Sequence, residues 1–398
     1  IYEKICRAPS SPCQDLQEDT FGLVRTEKED HRMKIAVVTL PLHTNYGGLL
    51  QAYALKSVLE GCGHTVDVLD LKEKMPVPKG VKAPLIYMSR MLKRLLKGKN
   101  GPEVFRELRY RRELPERSAF TSEFVKKHID PRIIDRYEDV KEGEYDAFVV
   151  GSDQVWRPLY FNGITNAFLK FTDGWNVRRL SYAASFGTDQ LEYEYTQLEE
   201  CAGLLSRFDA VSVRESSAVG ICSEWFDCDR AVHVLDPVML VAADKYRSMA
   251  ESQSEHCSKG KIMTYILDPS AEKDNVLDFV KRVSGLESYA LESEKVVPAV
   301  EKWLAGFADS EFVVTDSFHG CVLALLMHKR FIAVGNSRRG MSRLNSFLSM
   351  FGLEQRLVHG IDPEDDGEFF LSDPDWDHVD EVLKTRREEC LEFLRRIL

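Results

Sequence analysis

The chain has 398 residues, 44% of them hydrophobic and 29% charged, with a formal net charge of −11. That length exceeds the usual single core, so two domains are expected, and the acidic balance argues against a nucleic-acid-binding protein. No apolar run approaches the roughly twenty residues that a membrane helix needs. The nine cysteines are scattered and odd in number, which reads as reduced thiols in a cytoplasmic protein, and no spacing among them suits a structural metal.

Residues 1–32 are polar, begin with Ile1 and hold no apolar core of a signal peptide. They read as an N-terminal extension, disordered or foreign to the native chain, with Met33-Lys34-Ile35 as the native start. Residues 33–40 have the pattern of a buried strand, running into Asn45-Tyr46-Gly47-Gly48 and an amphipathic helix that carries Gln51. Glycines admit backbone amides close to a ligand, and a helix N-terminus favours anions, so this turn predicts a phosphorylated or carboxylated small molecule. Alternatively, Gly47 and Gly48 only allow tight strand-to-helix packing. Asp70 ends the next strand, where a ribose-binding acid would stand, but the G-x-G-x-x-G spacing of a dinucleotide fold is missing.

From about residue 76 to 136 the chain turns basic. Leu85, Met88, Met91, Leu92, Leu95 and Leu96 alternate there with Arg90, Lys93, Arg94 and Lys97 as in a basic amphipathic helix. Such a segment is either a solvated helical insertion or a peripheral contact with an anionic membrane face or a diphosphate-linked acceptor.

Strand patterns then recur, each ending in polar residues. Residues 145–150 run into Gly151-Ser152-Asp153-Gln154-Val155-Trp156, residues 180–184 into Ser185-Phe186-Gly187, and residues 210–213 into Arg214-Glu215-Ser216. The carboxyl ends of strands are where open α/β sheets bind ligands. Residues 232–235, stopped by Asp236-Pro237, read as the crossing into a second α/β set. There, strands at 262–267, 311–314 and 331–334 alternate with helices at 274–283 and 322–327, and the second strand enters Thr315-Asp316-Ser317-Phe318-His319-Gly320. The alternation predicts parallel sheets in both halves. The resulting division is an N-terminal Rossmann-like domain over 33–231, a C-terminal one over 232–375, and a helix over 376–398 that packs back on the body. Residues 362–377 read as a solvated acidic connection.

Taken in order, the phrases at 45–52, 150–156, 211–215 and 314–320 resemble the polysaccharide pyruvyl transferase family over residues of about 33 to 358. The resemblance implies two Rossmann-like domains facing a central cleft, as in GT-B glycosyltransferases. It implies a cytoplasmic transferase of surface polysaccharide biosynthesis that moves pyruvate from phosphoenolpyruvate to a sugar diol as a ketal. The acceptor would be a sugar or lipid-linked oligosaccharide, and neither a metal nor a cofactor is called for.

A donor carrying phosphate and carboxylate needs guanidinium groups or amides. Arg214 matches the family's donor-binding arginine; read alone, it is equally a surface partner of Glu215. His319 matches the family's histidine and would protonate the donor or orient its phosphate, with Asp316 nearby; read alone, it is a structural histidine. Asp153 would take the acceptor's proton or hold the sugar, or it caps the following helix. Ser152 lies in the same cleft loop. Much of the family has an arginine where this chain has Ser317, and Arg338, Arg339 or Arg343 would then supply the missing charge. Loops, residues 156–166 among them, are expected to contact the acceptor. Two rival readings are a nucleotide-sugar glycosyltransferase of the same architecture and a catalytically silent sugar- or phosphate-binding relative.

Overall fold

Ile35 to Val38 are all fully buried, and a strand that is apolar on both faces belongs in the middle of a sheet covered on both sides. The computed structural model describes residues 32–398 except 73–76, 79, 81, 99–100, 254, 292–294, 336–340 and 363, and it gives that strand a central place. β1 (Lys34–Val38), β2 (Thr65–Leu71), β3 (Arg132–Ile134), β4 (Ala147–Val150) and β5 (Arg178–Ser181) form a parallel sheet in the order β3-β2-β1-β4-β5. β6 (Ser212–Val213) and β7 (Val232–His233) pair with each other and extend it through bridges at Leu180–Ala210 and Ala184–Val213. β8 (Ile262–Tyr265), β9 (Ser288–Ala290), β10 (Phe312–Thr315), β11 (Arg330–Val334) and β12 (Leu357–Val358) make a second parallel sheet, ordered β12-β11-β10-β8-β9.

Around the first sheet lie α1 (Tyr46–Gly61), α2 (Lys82–Lys97), α3 (Arg106–Arg117), α4 (Ala119–Phe124), α5 (Tyr195–Leu205) and α6 (Ser216–Phe226). Around the second lie α7 (Ala243–Glu251), α8 (Ala271–Ser284), α9 (Val300–Asp309), α10 (Phe318–Leu326), α11 (Ser342–Met350), α12 (Glu368–Leu371) and α13 (Trp376–Ile397). Two parallel sheets, most of whose successive strands are joined through helices, make two Rossmann-like halves.

Several details differ from the sequence reading. Residues 232–233 pair with β6, so they belong to the first half, and the crossing falls at Asp236. The basic insertion ends before residue 132, because Arg132–Ile134 is an edge strand on β2. The acidic connection holds one helical turn, α12, whose Phe370 is buried against Phe279. Except for Arg32, the expected N-terminal extension lies outside the described residues.

α1 is the largest departure. It was expected to be amphipathic, yet every residue from Tyr46 to Leu55 is buried. One side lies on its own sheet and the other meets the second half. Tyr46 stacks on Trp303 with ring centroids 4.9 Å apart and donates its hydroxyl to the carbonyl of Pro298 at 2.8 Å. One buried apolar cluster therefore runs through both halves, joining Leu50 and Leu55 to Val238, Trp303, Val322 and Leu383. α13 packs against the first half: Cys390 Sγ accepts from the Leu235 amide at 3.3 Å, and Arg386 donates to the His233 carbonyl at 2.9 Å.

At Gly47 the halves approach so closely that a Cβ there would lie 2.1 Å from His319 Nδ1. Replacing Gly47 by alanine should lower stability by roughly 1–3 kcal/mol through overpacking, despite a helix-propensity gain of about 1 kcal/mol. In a His319→Ala background the same change should cost nothing or stabilise. Thermal unfolding of the two single variants and the double variant measures that coupling.

Candidate functional site

Each first-half strand that ends near the seam delivers a polar residue there. After β4 the chain passes Ser152 and Asp153, the latter at φ 65°. After β6 comes Arg214, and after β7 comes Asp236, which caps the short helical turn at Pro237–Met239 through the Val238 amide. Arg214 has a side chain only 1% exposed. It donates to Asp236 Oδ2 at 2.9 Å and to Asp153 Oδ1 at 3.1 Å. Ser152 Oγ also donates to Asp236 Oδ2, at 3.1 Å.

From the second half, α10 presents two rings to this group. The Phe318 ring lies under the Arg214 guanidinium at 4.5 Å, a cation–π contact across the seam. His319 Nε2 stands 3.6 Å from Asp236 Oδ2, and it is a buried nitrogen without a hydrogen-bond partner among the described residues.

The electrostatics follow from burial and pairing. Desolvation would push the Asp153 and Asp236 carboxyls up, but Arg214 and His319 together outweigh it and hold both below the usual range. Burial would likewise lower Arg214, and the two carboxylates reverse that. Glu215 goes the other way. Burial raises it, and its Oε1 accepts from Ser185 Oγ and the amides of Phe186 and Gly187. Arg343 is buried on α11 and pushed down to about 10, first by desolvation and then by Arg214, with Asp153 and Glu215 opposing.

The structure brings Arg214, Asp153, Ser152, His319 and Gly47 together, with Arg343 in electrostatic reach. Arg214 is not a surface partner of Glu215, and the Asp153 carboxylate serves Arg214 rather than a helix cap. Gln51 supports the group from below: its Nε2 donates to Thr39 Oγ1 at 2.8 Å and to the Gly48 carbonyl at 2.9 Å, while its Oε1 accepts from the Ser152 amide at 2.8 Å. Asn45 caps α1 by accepting from the Gly48 amide, and Tyr46 is committed to the seam.

Asp316 is not in the group. Its carboxylate accepts from the Leu267 and Asp268 amides at 2.6 and 3.1 Å and pairs with Lys273 Nζ at 2.7 Å, which fixes the turn after β8. Ser317 is the N-cap of α10, its Oγ accepting from the Gly320 amide at 3.3 Å. Arg338 and Arg339 lie outside the described residues.

Asp236 was read only as a strand stop, and the structure makes it the partner of Arg214, Ser152 and His319 at once. The usable signal was an acid directly after an apolar strand, much as Asp153 follows residues 145–150 after two intervening residues. Trp156 was placed in a contact loop but is fully buried, stacked on Phe168 at 5.1 Å. Only the later part of that loop is superficial. Tyr160, Phe161, Asn162 and Asn166 line a cavity of about 390 Å³ with Thr39 and Tyr137 at the carboxyl ends of β1 and β3.

Among solved structures, UGT89C1 of Arabidopsis thaliana complexed with quercetin is 10% identical, covering 91% of this chain and 98% of that one, with a TM-score of 0.48. UDP-GlcNAc 2-epimerase from Neisseria meningitidis is 11% identical, covering 90% and 100%, and a glycosyltransferase from Rickettsia africae is 10% identical, covering 91% and 94%, each with a TM-score of 0.45. At this level the fold is carried by the two sheets themselves. No curated protein sequence matches the chain. The family model Polysaccharide pyruvyl transferase matches residues 45–338, a span that holds Gly47, Asp153, Arg214, Asp236 and His319, and the chain therefore belongs to the polysaccharide pyruvyl transferase family.

Proposed function

We propose that the cluster at the seam transfers pyruvate from phosphoenolpyruvate to two hydroxyls of a sugar, releasing phosphate. The observation that carries this reading is His319 Nε2, a buried ring nitrogen with no hydrogen-bond partner among the described residues, 3.6 Å from the Asp236 carboxylate that Arg214 also pairs with. Imidazole is the side chain best suited to pass a proton near neutral pH, and a carboxylate beside it orients the ring.

In this reading His319 delivers a proton to the donor's methylene carbon, leaving an oxocarbenium-like centre at C2. One sugar hydroxyl adds to C2 and loses its proton to Asp153 or to the donor phosphate. The C2–O bond to phosphate then breaks, and the second hydroxyl closes the ketal. Two hydroxyl protons leave, one replaces the proton that His319 gave to carbon, and the other departs with phosphate. Buried Arg343 and the N-terminus of α10 supply positive potential for the anionic donor. They do so where much of the family has an arginine and this chain has Ser317.

The acceptor occupies the 390 Å³ cavity. Its lining of asparagine side chains and a half-exposed tyrosine suits a sugar, whose hydroxyls need hydrogen bonds and whose C–H face stacks on a ring. Thr39 in its wall accepts from Gln51, which also holds the Ser152 amide, and Tyr160 lies within electrostatic reach of Arg343, so cavity and cluster adjoin. Lipid-linked oligosaccharide is the acceptor form that fits a surface-polysaccharide pathway, on the cytoplasmic side of the membrane.

Thermal unfolding with phosphoenolpyruvate, phosphate and nucleotide sugars at equal concentration separates the donor readings. Phosphoenolpyruvate at a hundredfold excess over its Kd should stabilise by about 2.7 kcal/mol; a shift given only by nucleotide sugars would move the reading to glycosyl transfer. With a competent acceptor, His319→Ala should slow phosphate release by roughly 10²–10⁴-fold, and an unchanged rate would remove His319 from the mechanism. Arg214→Ala is a poor activity probe, because two buried carboxylates lose their partner and stability should fall by about 3–5 kcal/mol. Tyr160→Ala should raise the acceptor KM by the several-fold that corresponds to about 1 kcal/mol of ring contact, while leaving the melting shift with phosphoenolpyruvate intact. An unchanged acceptor KM would dissociate the cavity from the acceptor.

A further inference from the structure

α2 has an arrangement of side chains that a solvated helix does not need. At about 3.6 residues per turn, Leu85, Met88, Met91, Leu92, Leu95 and Leu96 fall on one arc, and Arg90, Lys93, Arg94 and Lys97 fall on the opposite side. The apolar arc faces outward. Leu85 is 60% exposed, Leu92 59%, Leu95 73% and Leu96 78%. The side turned toward the protein is instead the one that carries Arg90, whose guanidinium makes a two-pronged pair with Glu107 of α3 at 2.7 Å, next to a ring contact between Tyr87 and Phe105. Phe105, just before α3, and Leu108 in it are also exposed, 54% and 48%. A solvated surface helix shows water its charges and buries its leucines, whereas α2 leaves its leucines exposed as well as Lys93, Arg94 and Lys97.

We infer that α2 is an interfacial helix that seats the protein on an anionic lipid bilayer. The leucines and methionines enter the acyl boundary, and Lys93, Arg94 and Lys97, all exposed along its flank, meet the headgroup charge. Charge decides between a bilayer and a second copy of this chain. A two-fold partner would bring the same basic flanks alongside one another, whereas an anionic surface offers the opposite sign. The protein as a whole carries −11 and is repelled by such a surface, so the basic helix also sets which way the molecule faces. Among the described residues no helix is long and apolar enough to cross a membrane, so the contact lies in the plane of the interface. This inference does not depend on the donor or the reaction.

Co-sedimentation of the full chain with vesicles tests it. The protein should pellet with vesicles of phosphatidylcholine containing phosphatidylglycerol and stay in solution with phosphatidylcholine alone. Leu92→Glu with Leu95→Glu should cut binding more than about tenfold; both positions are exposed, so the melting temperature should not move. Lys93→Glu with Arg94→Glu should weaken binding as well, and raised salt should weaken it in the unaltered protein. The inference is overturned if the unaltered protein ignores anionic vesicles, or if both double variants bind as it does. It is equally overturned if sedimentation velocity shows self-association that the leucine substitutions abolish while vesicles are not bound.

Discussion

The Arg214 guanidinium, closed between Asp153 and Asp236, is the interaction on which the rest of the site depends. Taking one cation and two carboxylates out of water is costly, and only close pairing makes it tolerable. The pairing is also what assembles the cleft. The three residues stand after β6, β4 and β7, so satisfying Arg214 fixes three loop conformations at once, and Phe318 and His319 add the second half. The two carboxylates leave a surplus negative charge beside Arg214. Arg343, desolvated on α11, and the His319 ring are the groups near enough to balance it. An anionic ligand entering here therefore competes with resident carboxylates for the same cations, which favours a ligand that brings charge only where Arg343 and a helix N-terminus can receive it.

Such a cluster tolerates little play between the halves, and α1 is what removes that play. A helix covered by a sheet on one side and by a second domain on the other must be apolar all round, and its closest contacts must be small. Gly47 meets that requirement, since no side chain fits between the helix and the His319 ring. The stack of Tyr46 on Trp303 and the return of α13 onto β7 reinforce the same seam. The Gly-Gly of the first turn thus serves packing, and through packing it sets the position of His319.

What could be read from the sequence follows from how each element is buried. β1, β4, β10 and β11 are central strands, covered on both faces, and their unbroken apolar runs ending in polar loops were legible together with the loops that hold Asp153, Arg214 and His319. β3, β9 and β12 are edge strands of two or three residues, too short to show a period, and they were missed. The burial of α1 could not be read because its second cover comes from residues some 250 positions away, at Pro298 and Trp303. Asp316 shows the converse limit. An acid two residues after a strand looked like part of the site, but its oxygens are consumed by the neighbouring turn and Lys273, which only the fold reveals.

Ser317 has a local physical role. α10 begins at Phe318 with its N-terminus buried against the seam, where an uncapped amide would cost about 1–3 kcal/mol. The serine hydroxyl satisfies the Gly320 amide, and Gly320 itself cannot carry a side chain because a Cβ there would meet Thr315 Oγ1 at 2.3 Å. An arginine at 317 would give up that cap and would add a third cation to a region where Arg343 is already pressed down by Arg214. A short capping side chain at 317 and a buried arginine at 343 are thus mutually consistent, each making the other's charge state and position easier to hold.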